Sequence, residues 1–228
     1  LHGADRGGGG YPAHRRARPV SSARHGSGEV SAHYDRAAAG YSTRRDRGLA
    51  GLLRRREQAA VLDLAGAGAG ERVLDVGCGD GAVAGRLAER GVWVVAVDLS
   101  LAMVRSARQR GAVPVVADMR ALPFCPSFDG AACIGASEFV SSLEAVAAEL
   151  AGSLRPGGWL VLLLPRRNWL GWGLWLYHRL HGVRIHLRSR DAVVRATSAA
   201  GLEPPSHWRR CAAAWVCRMR LGRRSADT

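Results

Sequence analysis

Short apolar runs alternate with helix-like segments along the middle of this chain. Each apolar run is bounded by glycine, acidic or basic residues, as expected for a buried strand. Strand, helix and strand in this order predict parallel pairing with right-handed crossovers, and so an α/β fold. The predicted strands are 72–76, 92–97, 113–116, 130–134 and 159–164, with helices at 81–90, 100–110 and 141–153.

The two ends of the chain differ from this middle region. Residues 1–29 are rich in Gly, Arg, Ser and Pro, which predicts a disordered tail before one folded domain over 30–228. Residues 43–64 are prone to form a helix with one apolar side. The remaining predictions are a helix at 189–200 closed by Gly201, and an antiparallel pair of strands at about 203–207 and 212–219.

Composition narrows the classes of function. The chain has 228 residues, enough for one α/β domain. Its formal net charge is +14, carried by arginines scattered along the chain without any lysine, so we expect a biased composition and no specific nucleic-acid site. Five cysteines form no C-x-x-C pair, which argues against a metal site or disulfide framework and fits a cytoplasmic protein. No apolar stretch is long enough to span a membrane.

The most informative segment is 72–82, where three glycines follow a predicted strand. Gly77, Gly79 and Gly81 fall on alternate positions between that strand and a predicted helix. Glycines at such a turn allow a tight bend and close approach by a ligand, to which the helix start would offer its N–H groups. The segment therefore predicts a site for a nucleotide-type cofactor.

Three carboxylates bear on which cofactor binds. The loop also satisfies the G-x-G-x-x-G/A pattern of dinucleotide sites, and Asp98 would hold the ribose of either cofactor class. Asp75 stands two residues before Gly77, where it would repel a diphosphate and attract a ligand bearing an ammonium and a sulfonium. Asp118 with its neighbouring N–H could read an adenine edge. A purely structural role remains open for each carboxylate. Asp75 could bond the backbone of the loop, and Asp98 could cap a helix, as Ser100 also could. Asp118 could be a helix cap or a turn residue.

Together these motifs resemble class I S-adenosylmethionine-dependent methyltransferases, especially the ubiquinone and menaquinone C-methyltransferases. The matching segments are 73–81, 97–100 with Met103, 117–124, 127–130 and 154–158. The resemblance implies a Rossmann-like, doubly wound sheet of seven strands, mostly parallel with an antiparallel last strand and helices on both faces. It also implies S-adenosyl-L-methionine as cofactor.

The same resemblance assigns residues to the cofactor. Asp75, Gly77 and Gly79 would hold its methionine end and Asp98 its ribose. Leu99 and Met103 would contact the adenine faces, and Asp118 with Met119 the adenine edge. Further implied contacts are Cys78, Gly81, Gly135 and, from an N-terminal segment that folds over the cofactor, Tyr34 and Tyr41. The chain departs from many relatives at one point, since Glu138 is followed by Phe139 and not by histidine.

The resemblance predicts transfer of a methyl group to a small, apolar or aromatic acceptor. This in-line displacement requires a general base only if the acceptor must lose a proton. Candidates for that base are Glu138 and His178, with His181 and His186 as further options. Two other functions stay open, a catalytically silent cofactor-binding module and a NAD-dependent oxidoreductase.

A tryptophan-rich segment after the fifth predicted strand bears on the acceptor. On a helix, Trp169, Trp172, Leu176 and Leu180 would share one face, with arginines before and after it. The segment could be a lid over an apolar acceptor, could rest peripherally on a membrane surface, or could pack against the domain's own sheet. Gly171 and Gly173 weaken a helix and favour a mobile flap.

Overall fold

A seven-stranded sheet lies between helices in the structure, a computed structural model that describes residues 48–205 and 208–223. Tyr34, Tyr41 and the predicted tail lie outside the described residues. The strands are β1 Arg72–Val76, β2 Trp93–Asp98, β3 Val113–Val116, β4 Phe128–Ile134, β5 Leu154–Pro165, β6 Trp208–Arg210 and β7 Ala214–Arg220. The helices are α1 Gly48–Ala65, α2 Ala82–Ala88, α3 Leu101–Gln109, α4 Leu143–Ser153, α5 Trp169–Leu180 and α6 Arg190–Ala199, with a 3-10 turn at Ser137–Phe139.

The strand order is β3-β2-β1-β4-β5-β7-β6. Strands β1 to β5 pair in parallel, whereas β7 runs antiparallel to both β5 and β6. The predicted doubly wound sheet with its antiparallel last strand is therefore confirmed. The order reverses beside β1, and ligands of open α/β sheets bind at such a switch point, at the carboxyl ends of the strands.

Two apolar clusters, one on each face of the sheet, hold the layers together. Leu74 and Val76 of β1 belong to the cluster that packs against α4 and α6, and Val73 belongs to the cluster beneath α1 and α2. A strand covered on both faces reads as a continuous apolar run, which is why these strands were visible in the sequence.

The C-terminal pair is placed differently from the prediction. The strand predicted at 203–207 is wrong for the described residues 203–205, which have no regular structure, and β6 instead comprises Trp208–Arg210. Leu202 makes an isolated bridge to Leu221. An antiparallel pair does form, but β6 is short, lies at the sheet edge and exposes both arginines, so it has no apolar run to reveal it.

Candidate functional site

A cavity of about 940 Å³ opens at the carboxyl ends of the parallel strands. Asp75 lies near the end of β1, Asp98 ends β2, and Asp118 follows β3. All three line the cavity. The topology thus brings together three carboxylates that are separated in sequence. One cofactor can contact all three only if they lie at the same edge of the sheet.

The three loop glycines have left-handed backbone angles, with φ of 69° at Gly77, 52° at Gly79 and 76° at Gly81. A Cβ at Gly77 would lie 2.2 Å from Ala136 Cβ, and one at Gly81 would lie 2.5 Å from Ala107 Cα. At Gly79 a Cβ would meet no atom within 4 Å. Gly77 and Gly81 therefore allow close packing inside the protein. Of these three glycines, only Gly79 has open space at its missing Cβ, where a ligand could lie.

Four N–H groups of this loop are donated within the protein. Gly77 and Cys78 both donate to Val97 O, at 2.8 and 3.0 Å, and Gly81 donates to Cys78 O. Gly79 donates to Asp98 Oδ2 at 3.0 Å. A diphosphate-binding loop needs such donors for its anionic ligand, so this loop is poorly equipped for one.

Asp98 is held in place from two sides. Its Oδ2 accepts from Gly79 N and its Oδ1 accepts from Ser100 N, each at 3.0 Å. The helix cap of α3 is Ser100, whose hydroxyl accepts from Met103 N at 3.3 Å. These two hydrogen bonds fix the orientation of the half-buried Asp98 carboxylate at the edge of the cavity.

Asp75 is the most perturbed carboxylate of the site. It is 1% exposed, and burial, followed by the nearby charge of Asp98, raises its pKa to about 7. Its Oδ2 is buried and accepts no hydrogen bond within the described part of the chain. An unpaired buried carboxylate oxygen is costly unless a donor or a cation joins it. A ligand that carries an ammonium group fits this position.

Asp118 has a protein partner at close range. Arg120 donates to both carboxylate oxygens, with Nε to Oδ1 at 3.0 Å, and the backbone N of Arg120 also donates to Oδ1 at 2.9 Å. Partial burial would raise the pKa of Asp118, but these bonds and the charge of Arg120 hold it below its usual range. Arg120 was not predicted as a site residue from the sequence, although the Asp-x-Arg spacing could have indicated the pair.

The opposite end of the cavity is formed by the 3-10 turn after β4 and by α5. Glu138 is buried, and Phe139 and His178 meet edge to face with ring centroids 5.3 Å apart. The backbone N of His186 donates to Glu138 O at 2.8 Å, and burial followed by the charge of Arg188 lowers the pKa of His186. Glu138, Phe139, Leu174, His178 and His186 all line the cavity, so this end combines apolar surface with proton-accepting groups.

The other predicted cofactor contacts divide into two groups. Cys78, Leu99, Met119 and Gly135 line the cavity, whereas Met103 is buried in the core and does not line it. Gly81 packs against α3, as described above. Lining residues that the sequence analysis missed are Arg54, Glu57 and Gln58 of α1, which only the packing of that helix over the sheet reveals. Among residues 48–205 and 208–223, no cluster of His, Cys, Asp and Glu is arranged to hold a metal ion.

Comparison with known proteins shows that this chain is similar to methyltransferases. Residues 74–162 match the family model described as a methyltransferase domain. A demethylmenaquinone methyltransferase of Mycobacterium sp. (strain KMS) is 39% identical over 109 residues, which are 47% of this chain and 46% of that protein. A ubiquinone biosynthesis O-methyltransferase of Idiomarina loihiensis is 31% identical over 155 residues, 59% of this chain and 62% of that protein. The chain thus spans about half of the length of these curated relatives.

Solved structures agree on the fold. The magnesium protoporphyrin IX methyltransferase of Synechocystis PCC 6803, determined with bound SAH, matches with a TM-score of 0.69 and 18% identity, over 86% of this chain and 99% of that one. The resemblance predicted from the motifs is confirmed by both kinds of comparison. Residues 74–162 of this chain are thus similar to a methyltransferase domain, and the chain shares the Rossmann-like fold of a solved methyltransferase.

Proposed function

We propose that this chain is an S-adenosylmethionine-dependent methyltransferase that acts on a small, apolar or aromatic acceptor. The observation that carries the proposal is the buried Asp75, whose carboxylate lines the cavity with Oδ2 lacking a partner among the described residues. A cationic ligand would stabilise the ionised form of this carboxylate and offset the cost of its burial. The magnesium protoporphyrin IX methyltransferase that shares this fold was determined with bound SAH, the product that this donor leaves after methyl transfer.

The donor would lie along the carboxyl ends of β1 to β3. Asp75 and the open space at Gly79 are suited to its methionine end, and Asp98 is oriented to bind the ribose hydroxyls. Leu99 and Met119 line the cavity beyond them and would contact the adenine. Arg120 donates hydrogen bonds to both carboxylate oxygens of Asp118. We therefore assign binding of the adenine edge both to this carboxylate and to the backbone groups beside it.

A nicotinamide dinucleotide fits the same loop less well. Four N–H groups of the loop are already donated within the protein, and the buried carboxylate of Asp75 would face the diphosphate. Both features disfavour an anionic ligand and favour a cationic one. The oxidoreductase alternative is therefore set aside.

When bound, S-adenosylmethionine supplies a methyl group already activated on a sulfonium. The chain's own task is to align the acceptor in line with that carbon and to exclude water. The end of the cavity around Phe139, Leu174 and His178 offers an apolar wall and an imidazole for this purpose. We assign the acceptor to this end.

We also assign the proton-accepting role to His178. The relatives' histidine is absent after Glu138, but α5 brings His178 against Phe139, the residue at that sequence position. Replacing His178 by Asn should lower kcat by roughly 100-fold or more for acceptors that lose a proton, and should remove the acidic limb of the pH profile. The matched control is His181→Asn, at the exposed residue that caps the end of the same helix, for which we expect kcat within about twofold of the wild type.

The proposed function is tested by incubating the protein with radiolabelled S-adenosylmethionine and a panel of quinone, phenol and lipid acceptors. Label transferred to an apolar or aromatic acceptor, together with release of S-adenosylhomocysteine, would support the proposal. Donor binding without transfer to any acceptor would instead favour the catalytically silent module.

A further inference from the structure

The two sides of α5 have different surroundings. Leu174 and His178 line the cavity. On the opposite side, Trp169 is 79% exposed, Trp172 48%, Leu176 50% and Leu180 76%. Residues spaced by three and four positions share a helix face, so these four side chains form one continuous apolar strip, hereafter the α5 face. The sheet-packing alternative for this strip is wrong.

The glycines of α5 fit a formed helix better than a mobile flap. Asn168 caps it, accepting from Gly171 N at 3.0 Å, and a Cβ at Gly171 would lie 1.7 Å from Arg166 O. Gly171 therefore lets the helix start pack closely on the preceding strand end. The α5 face is presented on an anchored helix whose first turn is fixed to the domain.

Positive charge predominates around the α5 face. Residues 166–190 contain six arginines and three histidines but no Asp or Glu. Arg167 and Arg179 are exposed beside the strip. Beside the start of α5, a depression of about 440 Å³ is lined by four arginines, at positions 166, 167, 188 and 190, and by one carboxylate, Asp191. The guanidinium groups of Arg166 and Arg190 stack on Trp215, with Cζ 4.9 and 5.4 Å from the ring centroid.

We infer that the α5 face docks on a bilayer surface containing anionic phospholipids. Tryptophan, tyrosine and arginine beside aliphatic residues on one exposed helix suit the boundary between headgroups and acyl chains, and the arginine-lined depression suits a phosphate headgroup. A second copy of this chain is disfavoured, because it would bring two all-basic segments together. The proposed contact is a peripheral one, made by side chains of the α5 face. No helix in the described part of the chain is long and apolar enough to cross a bilayer.

Docking would place the helix that walls the acceptor end of the cavity against the membrane. An apolar acceptor dissolved in lipid would then be concentrated next to the helix whose inner side carries Leu174 and His178. This consequence rests on the proposed function, whereas the docking itself does not.

The test is cosedimentation of the full chain with vesicles, without S-adenosylmethionine. One set of vesicles contains only phosphatidylcholine, and the other an equimolar mixture with phosphatidylglycerol. We expect binding to the anionic vesicles that weakens at high salt. The triple variant Trp169→Ser/Trp172→Ser/Leu176→Ser should reduce partitioning by about tenfold or more, since it removes most of the inserted apolar area.

The matched control is Leu101→Ser/Val116→Ser, which removes two apolar side chains that are 48% and 53% exposed elsewhere on the domain. This variant should partition within about twofold of the wild type. Absence of vesicle binding by the wild type, equal binding by the triple variant, or an equal loss in the control would overturn the inference. So would self-association through the α5 face, detected by sedimentation velocity, without vesicle binding. Donor affinity, measured separately by calorimetry, reports on the proposed function and not on docking.

Discussion

The three loop glycines serve different purposes, because the space where a side chain would lie differs at each. Gly81 has α3 backbone at its missing Cβ, Gly77 has Ala136, and Gly79 has no neighbour. The sequence predicted a ligand beside all three. Gly77 and Gly81 can be distinguished from Gly79, which faces the cavity, only from the packing of the 3-10 turn and of α3. Both of these elements are distant from the loop in sequence.

This difference predicts different consequences for two alanine substitutions. Gly81→Ala should lower the free energy of unfolding by about 2–4 kcal/mol, since it combines a backbone clash with a left-handed φ. Gly79→Ala should cost only about 1 kcal/mol of stability but weaken donor binding about tenfold or more. Urea denaturation and calorimetry distinguish the two. Equal loss of stability in both variants would contradict the assignment.

Asp75 predicts an unusual pH dependence of stability in the ligand-free protein. Its folded-state pKa of about 7 lies above the usual value of 3.8. At pH values between these two, the folded protein keeps a proton on Asp75 that the unfolded protein has released. The resulting stabilisation is complete below about pH 4 and is lost as the pH rises through about 7.

The variant Asp75→Asn isolates this effect. It should flatten the pH dependence of the free energy of unfolding between about pH 4 and 7, by an amount on the order of 2–4 kcal/mol. Urea denaturation at several pH values measures both proteins. Parallel curves for wild type and variant would show that Asp75 is ionised in the folded protein throughout this range.

The elements differ in how far the sequence reveals them. The central strands β1, β2, β4 and β5 are covered on both faces and stand out as apolar runs. Strand β6 is short and exposed, so its position was predicted wrongly. Helix α5 was recognisable from its spacing, yet which of its sides faces the cavity depends on contacts with Phe139 and Arg166 that no local pattern encodes.

Alanine substitutions at two glycines within α5 should change the stability of the protein in opposite directions. Gly171→Ala places a Cβ 1.7 Å from Arg166 O and should destabilise the domain by about 2 kcal/mol or more. Gly173 has open space at its missing Cβ, so Gly173→Ala should stabilise the helix by up to about 1 kcal/mol. Thermal unfolding followed by circular dichroism gives both signs. Destabilisation by Gly173→Ala would mean that α5 is not helical in solution.

Across the whole molecule, the carboxyl ends of the strands define one cavity with two chemically different ends. Carboxylates dominate where β1 to β3 end, and apolar and imidazole groups dominate beneath α5. The residues of the first end follow consecutive strands, so the motifs in the sequence could indicate that they lie together. At the second end, Glu138, His178 and His186 were named from the sequence only as separate candidate bases. Their common position depends on a helix about forty residues beyond Phe139 that brings His178 against it.

The most direct test of the central claim is titration calorimetry of the purified chain at neutral pH, first with S-adenosylmethionine and then with NAD. We expect a single site for S-adenosylmethionine, weakened about tenfold or more by Asp98→Ala as charge-assisted hydrogen bonds to the ribose are lost, and no heat with NAD. Binding of NAD without any heat from S-adenosylmethionine would contradict the account.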